Sequence, residues 1–215
     1  MHQINWGIIG SGSIANSFSY SIQAATNSKL TSIFGRNPKK VDAFADKFHI
    51  DAHHQLDDFI SSEEIDAIYV ATPHSEHFFY ALEAIKNGKH VLCEKPFTMN
   101  AYESMILLDL ANAKNIFLME AFMYRTHPQT RNILDNLHFL SDAKSKIMIE
   151  ASFGFKADVL ATHRLRNPEL GGGAILDVGC YPLTMAKLIA GQLQGLAFAE
   201  PKSLLATGQL DETGV

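Results

Sequence analysis

The feature that most constrains this chain is an alternation. Through residues 1–120, short apolar runs trade places with segments whose apolar residues recur at helical spacing. "INWGII" (4–9), "LTSIF" (30–34), "AIYVA" (67–71), "HVLC" (90–93) and "IFLME" (116–120) read as strands. Between them, helices are predicted over 13–25, from Pro38 to about His49, over 76–87 and over 101–114. Asn37 caps the second of these, and Pro38 takes its first helical position, where a missing N–H costs nothing. Asn87-Gly88 supplies a left-handed stop to the third. Asn100 and Glu103 stand in capping-box spacing at the start of the fourth. Strand, helix and strand in repetition predict a doubly wound parallel sheet with helices on both faces. Ligands of such sheets lie at the carboxyl ends of the strands, so the residues that follow each strand are where chemistry is expected.

The first strand runs into "GSGSIA", Gly10-x-Gly12-x-x-Ala15, which is a dinucleotide fingerprint with alanine in the third place. Gly10 permits the tight turn and Gly12 lets the backbone approach a pyrophosphate. Ser13 and Ile14 open the following helix, whose free N–H groups favour an anion. The second strand ends in Gly35-Arg36-Asn37, where an NAD-binding fold usually carries an acid for the ribose 2′-hydroxyl. A guanidinium at Arg36 suits a 2′-phosphate instead, so NADP is expected as cofactor, with NAD as the second possibility. Lys39 and Lys40 fit a solvated helix face equally well.

Charge and composition exclude other classes. The chain has 215 residues, 47% of them hydrophobic, and a formal net charge of −5. That is enough apolar content for a core, and the mixed charges give no broad attraction for nucleic acid or an anionic membrane. The apolar runs are short and broken by charges, and the N-terminus has no basic region or cleavage site, so no membrane partner and a cytoplasmic location are expected. Cys93 and Cys180 are the two cysteines, far apart and without metal-type spacing. His53 and His54 read as polar loop residues, and no metal site is expected.

The segment "ATPHSEH" (71–77) at the end of the strand 67–71 and "CEKPF" (93–97) at the end of the strand 90–93, together with "MEAFMYRTHP" (119–128) and "GGGAILDVGCYP" (171–182), carry a resemblance. The chain resembles the Gfo/Idh/MocA oxidoreductase family, and within it the branch of dimeric dihydrodiol dehydrogenases and NADP-linked xylose dehydrogenases. The resemblance implies a Rossmann domain over 1–122 followed by an α+β, open-sheet domain over 123–215. It also implies hydride transfer between a nicotinamide and the carbinol or carbonyl carbon of a sugar, polyol or dihydrodiol. In similar enzymes the Glu-Lys-Pro triplet puts the lysine, here Lys95, beside the nicotinamide, often with a cis bond before the proline. The residues agree, because proline lacks an N–H and restricts its neighbour, which holds Lys95 extended at the strand end. Glu94 is then a charge partner for Lys95 or a ribose ligand.

By the same resemblance Tyr181 is the general acid/base and Asp177 orients substrate hydroxyls or the lysine. A tyrosine serves this role when a cation makes its phenolate accessible, and Lys95 is the expected cation. The "ATPHSEH" loop, with Thr72, Pro73, His74 and His77, is expected along the nicotinamide ribose. Arg125 and Arg164 are expected near the cofactor, although a structural ion pair accounts for either arginine equally. Residues 145–155, 194–199 and 202–210 read as strands of the second domain, with a helix over 174–190. Family members continue well past Val215, so that domain is expected to be truncated at its C-terminal end, with a homo-oligomer formed through its sheet. The competing expectation is a nucleotide-binding regulator, or an inactive fragment of such an enzyme, that uses the fold without catalysis.

Overall fold

The structure, a computed structural model, describes residues 3–140 and 146–215. It divides into two compact units, one ending at Ala121 and one beginning at Phe122.

The first unit runs β1 (Ile4–Ile9), α1 (Ser13–Ala24), β2 (Ser28–Phe34), α2 (Pro38–Phe48), β3 (Asp51–His53), α3 (Leu56–Ile60), β4 (Ala67–Val70), α4 (His77–Lys86), β5 (His90–Cys93), α5 (Ala101–Lys114) and β6 (Leu118–Glu120). All pairings are parallel and the strand order is β3-β2-β1-β4-β5-β6. The expected parallel sheet is therefore present, and β1 lies between β2 and β4, where the strand order reverses. Successive residues of a strand face opposite ways, and the core follows that rule. Ile8 joins Ile33, Val41, Phe44 and Phe48 on one face, while Ile9 joins Phe59, Ile68, Ile85 and Val91 on the other. Strands buried on both faces explain why the sequence shows continuous apolar runs.

Local signals set the helix starts. The Asn37 side chain accepts from the Lys40 N–H at 3.2 Å, and Asn100 accepts from the Glu103 N–H at 3.0 Å. Glu103 reaches back to the Met99 N–H at 3.1 Å, one residue before the cap. β3 and α3 were not expected. A three-residue strand shows no period, and its existence depends on the ladder that Ser32, Ile33 and Phe34 offer it.

The second unit contains a 3-10 turn at Met123–Thr126, α6 (Pro128–Asn136), a 3-10 turn at Pro168–Leu170, and a π-helical segment, Ile175–Gly179, that runs into α7 (Cys180–Gln192). The helix expected over 174–190 is there. The strands expected over 145–155, 194–199 and 202–210 are not: their described residues carry no strand, and residue 145 lies outside the described residues. Alternation writes two faces into a segment, but a strand forms only against a partner ladder, and none is present among the described residues of this unit. The run Pro168–Gln192 is long and apolar enough to cross a membrane by length and composition. Left-handed Gly171 and Gly173, at φ 75° and 101°, interrupt it, and it carries the buried, ion-paired Asp177.

Candidate functional site

The glycine turn after β1 is built to leave space. Gly10 has φ 107°, and a Cβ there would lie 2.5 Å from the Ala71 carbonyl oxygen, so the turn closes against the end of β4 only with glycine. Gly12 differs, because a Cβ there would meet nothing within 4 Å among the described residues. Packing within the chain therefore gives no reason for the missing side chain at Gly12, whereas a ligand against the backbone does. Gly12 is the N-cap of α1, with no side-chain capping bond and no acid in the first turn, so the N–H groups at Ser13 and Ile14 open an anion-favouring helix end. Ala15, third in the fingerprint, is fully buried among Ile8, Tyr69 and Ala71.

Two loops flank that turn. Arg36, after β2, is 69% exposed, and its Nη1 pairs at 2.6 Å with Oε1 of Glu76 on the 3-10 turn His74–Glu76 that follows β4. Pro73 precedes that turn and His74 is buried in it. The Thr72 hydroxyl and Glu76 Oε2 are buried and have no hydrogen-bond partner among the described residues. Buried polar groups are normally paired, so two orphans beside an open glycine turn fit a polar ligand. The residues present thus fit a dinucleotide.

The loop after β5 holds Lys95, and its backbone is tied on several sides. The Lys95–Pro96 peptide is cis. The Pro96 carbonyl oxygen lies 2.8 Å from His77 Nδ1, and His77 Nε2 lies 3.0 Å from the Thr72 carbonyl oxygen. His77 is fully buried and joins the β4 and β5 loops. Burial lowers its pKa, while the two carbonyls favour the cation less strongly and His74 and Lys95 oppose it. On the other side the Phe97 N–H donates to Glu120 Oε1 at 2.8 Å, from the end of β6. Glu94 is buried; its Oε1 accepts from the Tyr69 hydroxyl at 2.5 Å and its Oε2 from the Lys95 N–H at 3.2 Å. Burial raises the Glu94 pKa, and these donors and the Lys95 charge oppose the rise. Burial, with Glu94 and Glu120 nearby, also pushes the Cys93 thiol well up, so it is not a ready nucleophile.

In the second unit, Arg164 Nη1 donates to Asp177 Oδ1 at 3.2 Å, and Asp177 is 7% exposed. The guanidinium of Arg125 lies 4.6 Å from the centre of the Phe198 ring. Tyr181, on the first turn of α7, packs edge-on against Phe122 at 5.4 Å and Phe153 at 5.3 Å, with Tyr124 at 5.9 Å. With Tyr124, Ile133, Phe153 and Met185 it lines a cavity of ≈ 340 Å³. Asp177 and Tyr181 are four apart in sequence, yet one is drawn into an ion pair and the other into an aromatic cluster.

The structure thus gathers Gly10, Gly12, Ser13, Ile14, Arg36, Thr72, Pro73, His74, His77, Glu94 and Lys95 at the carboxyl ends of β1, β2, β4 and β5. Glu76, Tyr69 and Glu120 belong with them and escaped the sequence reading. An acid two residues past His74 was the visible signal for Glu76. Nothing local marks Tyr69 or Glu120, because their partners lie 25 and 23 residues away along the chain.

Comparison with known proteins agrees with this geometry. Residues 4–122 match the Gfo/Idh/MocA family, described as an oxidoreductase family with an NAD-binding Rossmann fold. A trans-1,2-dihydrobenzene-1,2-diol dehydrogenase of Xenopus tropicalis is 35% identical over 98% of this chain and 62% of its own length. A D-xylose 1-dehydrogenase (NADP(+)) of Hypocrea jecorina is 30% identical over 99% of this chain and 60% of its own. Among solved structures, the 3-ketoreductase KijD10 of Actinomadura kijaniata, in complex with NADP and TDP-benzene, is 26% identical with a TM-score of 0.75, covering 88% of this chain and 58% of that one. The chain therefore spans 62% of the length of the first of these relatives.

Proposed function

This chain belongs to the Gfo/Idh/MocA oxidoreductase family, and from that premise we propose that it binds NADP and transfers a hydride between the nicotinamide and the carbinol or carbonyl carbon of a sugar, polyol or dihydrodiol. The observation that carries this reading is the loop of Lys95, a cation followed by Pro96 and Phe97, whose backbone groups His77 and Glu120 hold, at the carboxyl edge of the sheet that also bears the open glycine turn. The bound dinucleotide supplies the hydride acceptor or donor. Every other part falls to side chains and backbone of the chain. Gly12 and the N–H groups of Ser13 and Ile14 receive the pyrophosphate. Arg36 supports NADP over NAD, and the xylose dehydrogenase named above is an NADP(+) enzyme. We assign exchange of the hydroxyl proton to Tyr181, orientation of substrate hydroxyls to Asp177, and to Lys95 the positive charge that favours the phenolate. The aromatic lining around Tyr181 supports a small cyclic substrate.

The same reading places the protein in the cytoplasm as a homo-oligomer. Apolar residues exposed on the second unit, such as Leu204 and Leu205, support such an association. Turnover followed by nicotinamide absorbance, over a panel of aldoses, inositols and dihydrodiols, tests the activity. Replacing Lys95 by Met or Tyr181 by Phe is expected to cut kcat by about 10²-fold or more while dinucleotide binding persists. Binding without turnover of any substrate would favour a non-catalytic dinucleotide-binding protein. A Tyr181→Phe variant as fast as the parent would remove the proton-transfer assignment.

A further inference from the structure

An NAD-binding Rossmann fold carries its selecting acid at the end of the second strand, and this chain has none there. The structure brings one in from elsewhere. β1 lies between β2 and β4, Arg36 follows β2, and Glu76 sits on the turn after β4. Their 2.6 Å ion pair therefore spans the carboxyl end of β1, beside the glycine turn. The two partners are unequal. The Arg36 side chain is 69% exposed, on a flexible stem, whereas that of Glu76 is 19% exposed and its Oε2 is buried with no hydrogen bond among the described residues.

A buried carboxylate oxygen without a donor is costly, and a donor from a ligand relieves the cost. A ribose hydroxyl can donate; a 2′-phosphate dianion has no proton to give and is repelled. On the reading that the strand-end crevice takes a nicotinamide dinucleotide, we propose that Glu76 selects the cofactor. It draws Arg36 across the crevice and offers Oε2 to the ribose hydroxyl of NAD, so the site accepts NAD as well as NADP. NADP binding takes Arg36 away from Glu76, and Glu76 thereby holds the preference for NADP below what Arg36 alone would give.

Calorimetric titration of the chain with NAD⁺ and with NADP⁺ tests this, using the parent, Glu76→Gln and Arg36→Ala. Glu76→Gln keeps the shape, frees Arg36 and removes the repulsion. It is expected to raise the ratio of the NAD⁺ to the NADP⁺ dissociation constant by about tenfold, the scale of one charge-assisted contact, with tighter NADP⁺ and weaker NAD⁺. Arg36→Ala is expected to lower the same ratio while NAD⁺ still binds. A parent that binds both dinucleotides, with a Glu76→Gln variant whose ratio is unchanged or whose two affinities fall together, overturns the role of Glu76 and leaves dinucleotide binding standing. A parent that binds neither dinucleotide overturns both. Thermal unfolding of Glu76→Gln without ligand, expected within a few degrees of the parent, separates selection from damage to the fold.

Discussion

In the first unit Ile8, Ile9, Ile33, Phe59 and Ile68 have no exposed surface, whereas in the second Met148 and Leu205 stand 88% and 92% exposed, with Leu160, Ile175, Leu204 and Leu210 also exposed. The contrast follows from how each region satisfies its backbone. A parallel sheet built from strand-helix-strand units acquires both of its covers from nearby chain, so every strand of the first unit finds a ladder, and the central strands β1, β2 and β4 are packed on both faces. The second unit has apolar segments in strand period without a ladder among its described residues. On the proposed reading, dinucleotide binding is accordingly a property of residues that the first unit fixes by itself, and substrate selection falls to residues whose surroundings are more open.

The contrast is sharpest in the cores. Replacing Phe59 by Ala should cost about 3–5 kcal/mol in chemical denaturation, because it empties a site with no exposed surface on one face of the sheet. Replacing Leu205 by Ser lies at the other end of the scale and should shift stability by less than about 0.5 kcal/mol. Equal effects would erase the distinction between the units.

Within the first unit the two glycines of the turn should separate. Gly10→Ala meets both a left-handed φ and the Ala71 carbonyl, so stability should fall by about 2 kcal/mol or more and binding with it. Gly12→Ala meets no atom of the described residues, so unfolding should shift by no more than about 1 kcal/mol, the scale of an N-cap change, while NADP⁺ affinity drops about tenfold or more by calorimetry. A Gly12→Ala variant that binds like the parent would mean that the open space serves no ligand.

A smaller effect concerns pH. The pKa of His77 is lowered below 6.5 in the fold, chiefly by burial. The unfolded chain therefore takes up this proton first as pH falls, and the stabilisation present above about pH 6.5 is lost on acidification toward the folded pKa. Stability in denaturation should be lower at about pH 5.5 than at about pH 7.5, and His77→Gln should reduce that difference. An unchanged difference would remove His77 as its source.

What the sequence revealed was local. Asn37, Pro38, Asn100 and Gly88 mark helix ends through neighbours only a few residues away, and the apolar runs mark strands buried on two faces. Lys95 was visible because Pro96 follows it. The groups that hold its loop were not, since His77 and Glu120 reach it from 19 and 23 residues away. Asp51–His53 was missed because three residues carry no period. The strands expected over 194–199 and 202–210 failed for the converse reason: their pattern is local and a ladder is not.

The most direct test of the account is the emission of bound NADPH. Titration of the parent should give a saturable change in reduced-nicotinamide fluorescence, and Lys95→Met should still bind the dinucleotide while losing most of that change. No saturable binding by the parent, or an identical emission change without Lys95, would contradict a nicotinamide held against that lysine at the sheet edge.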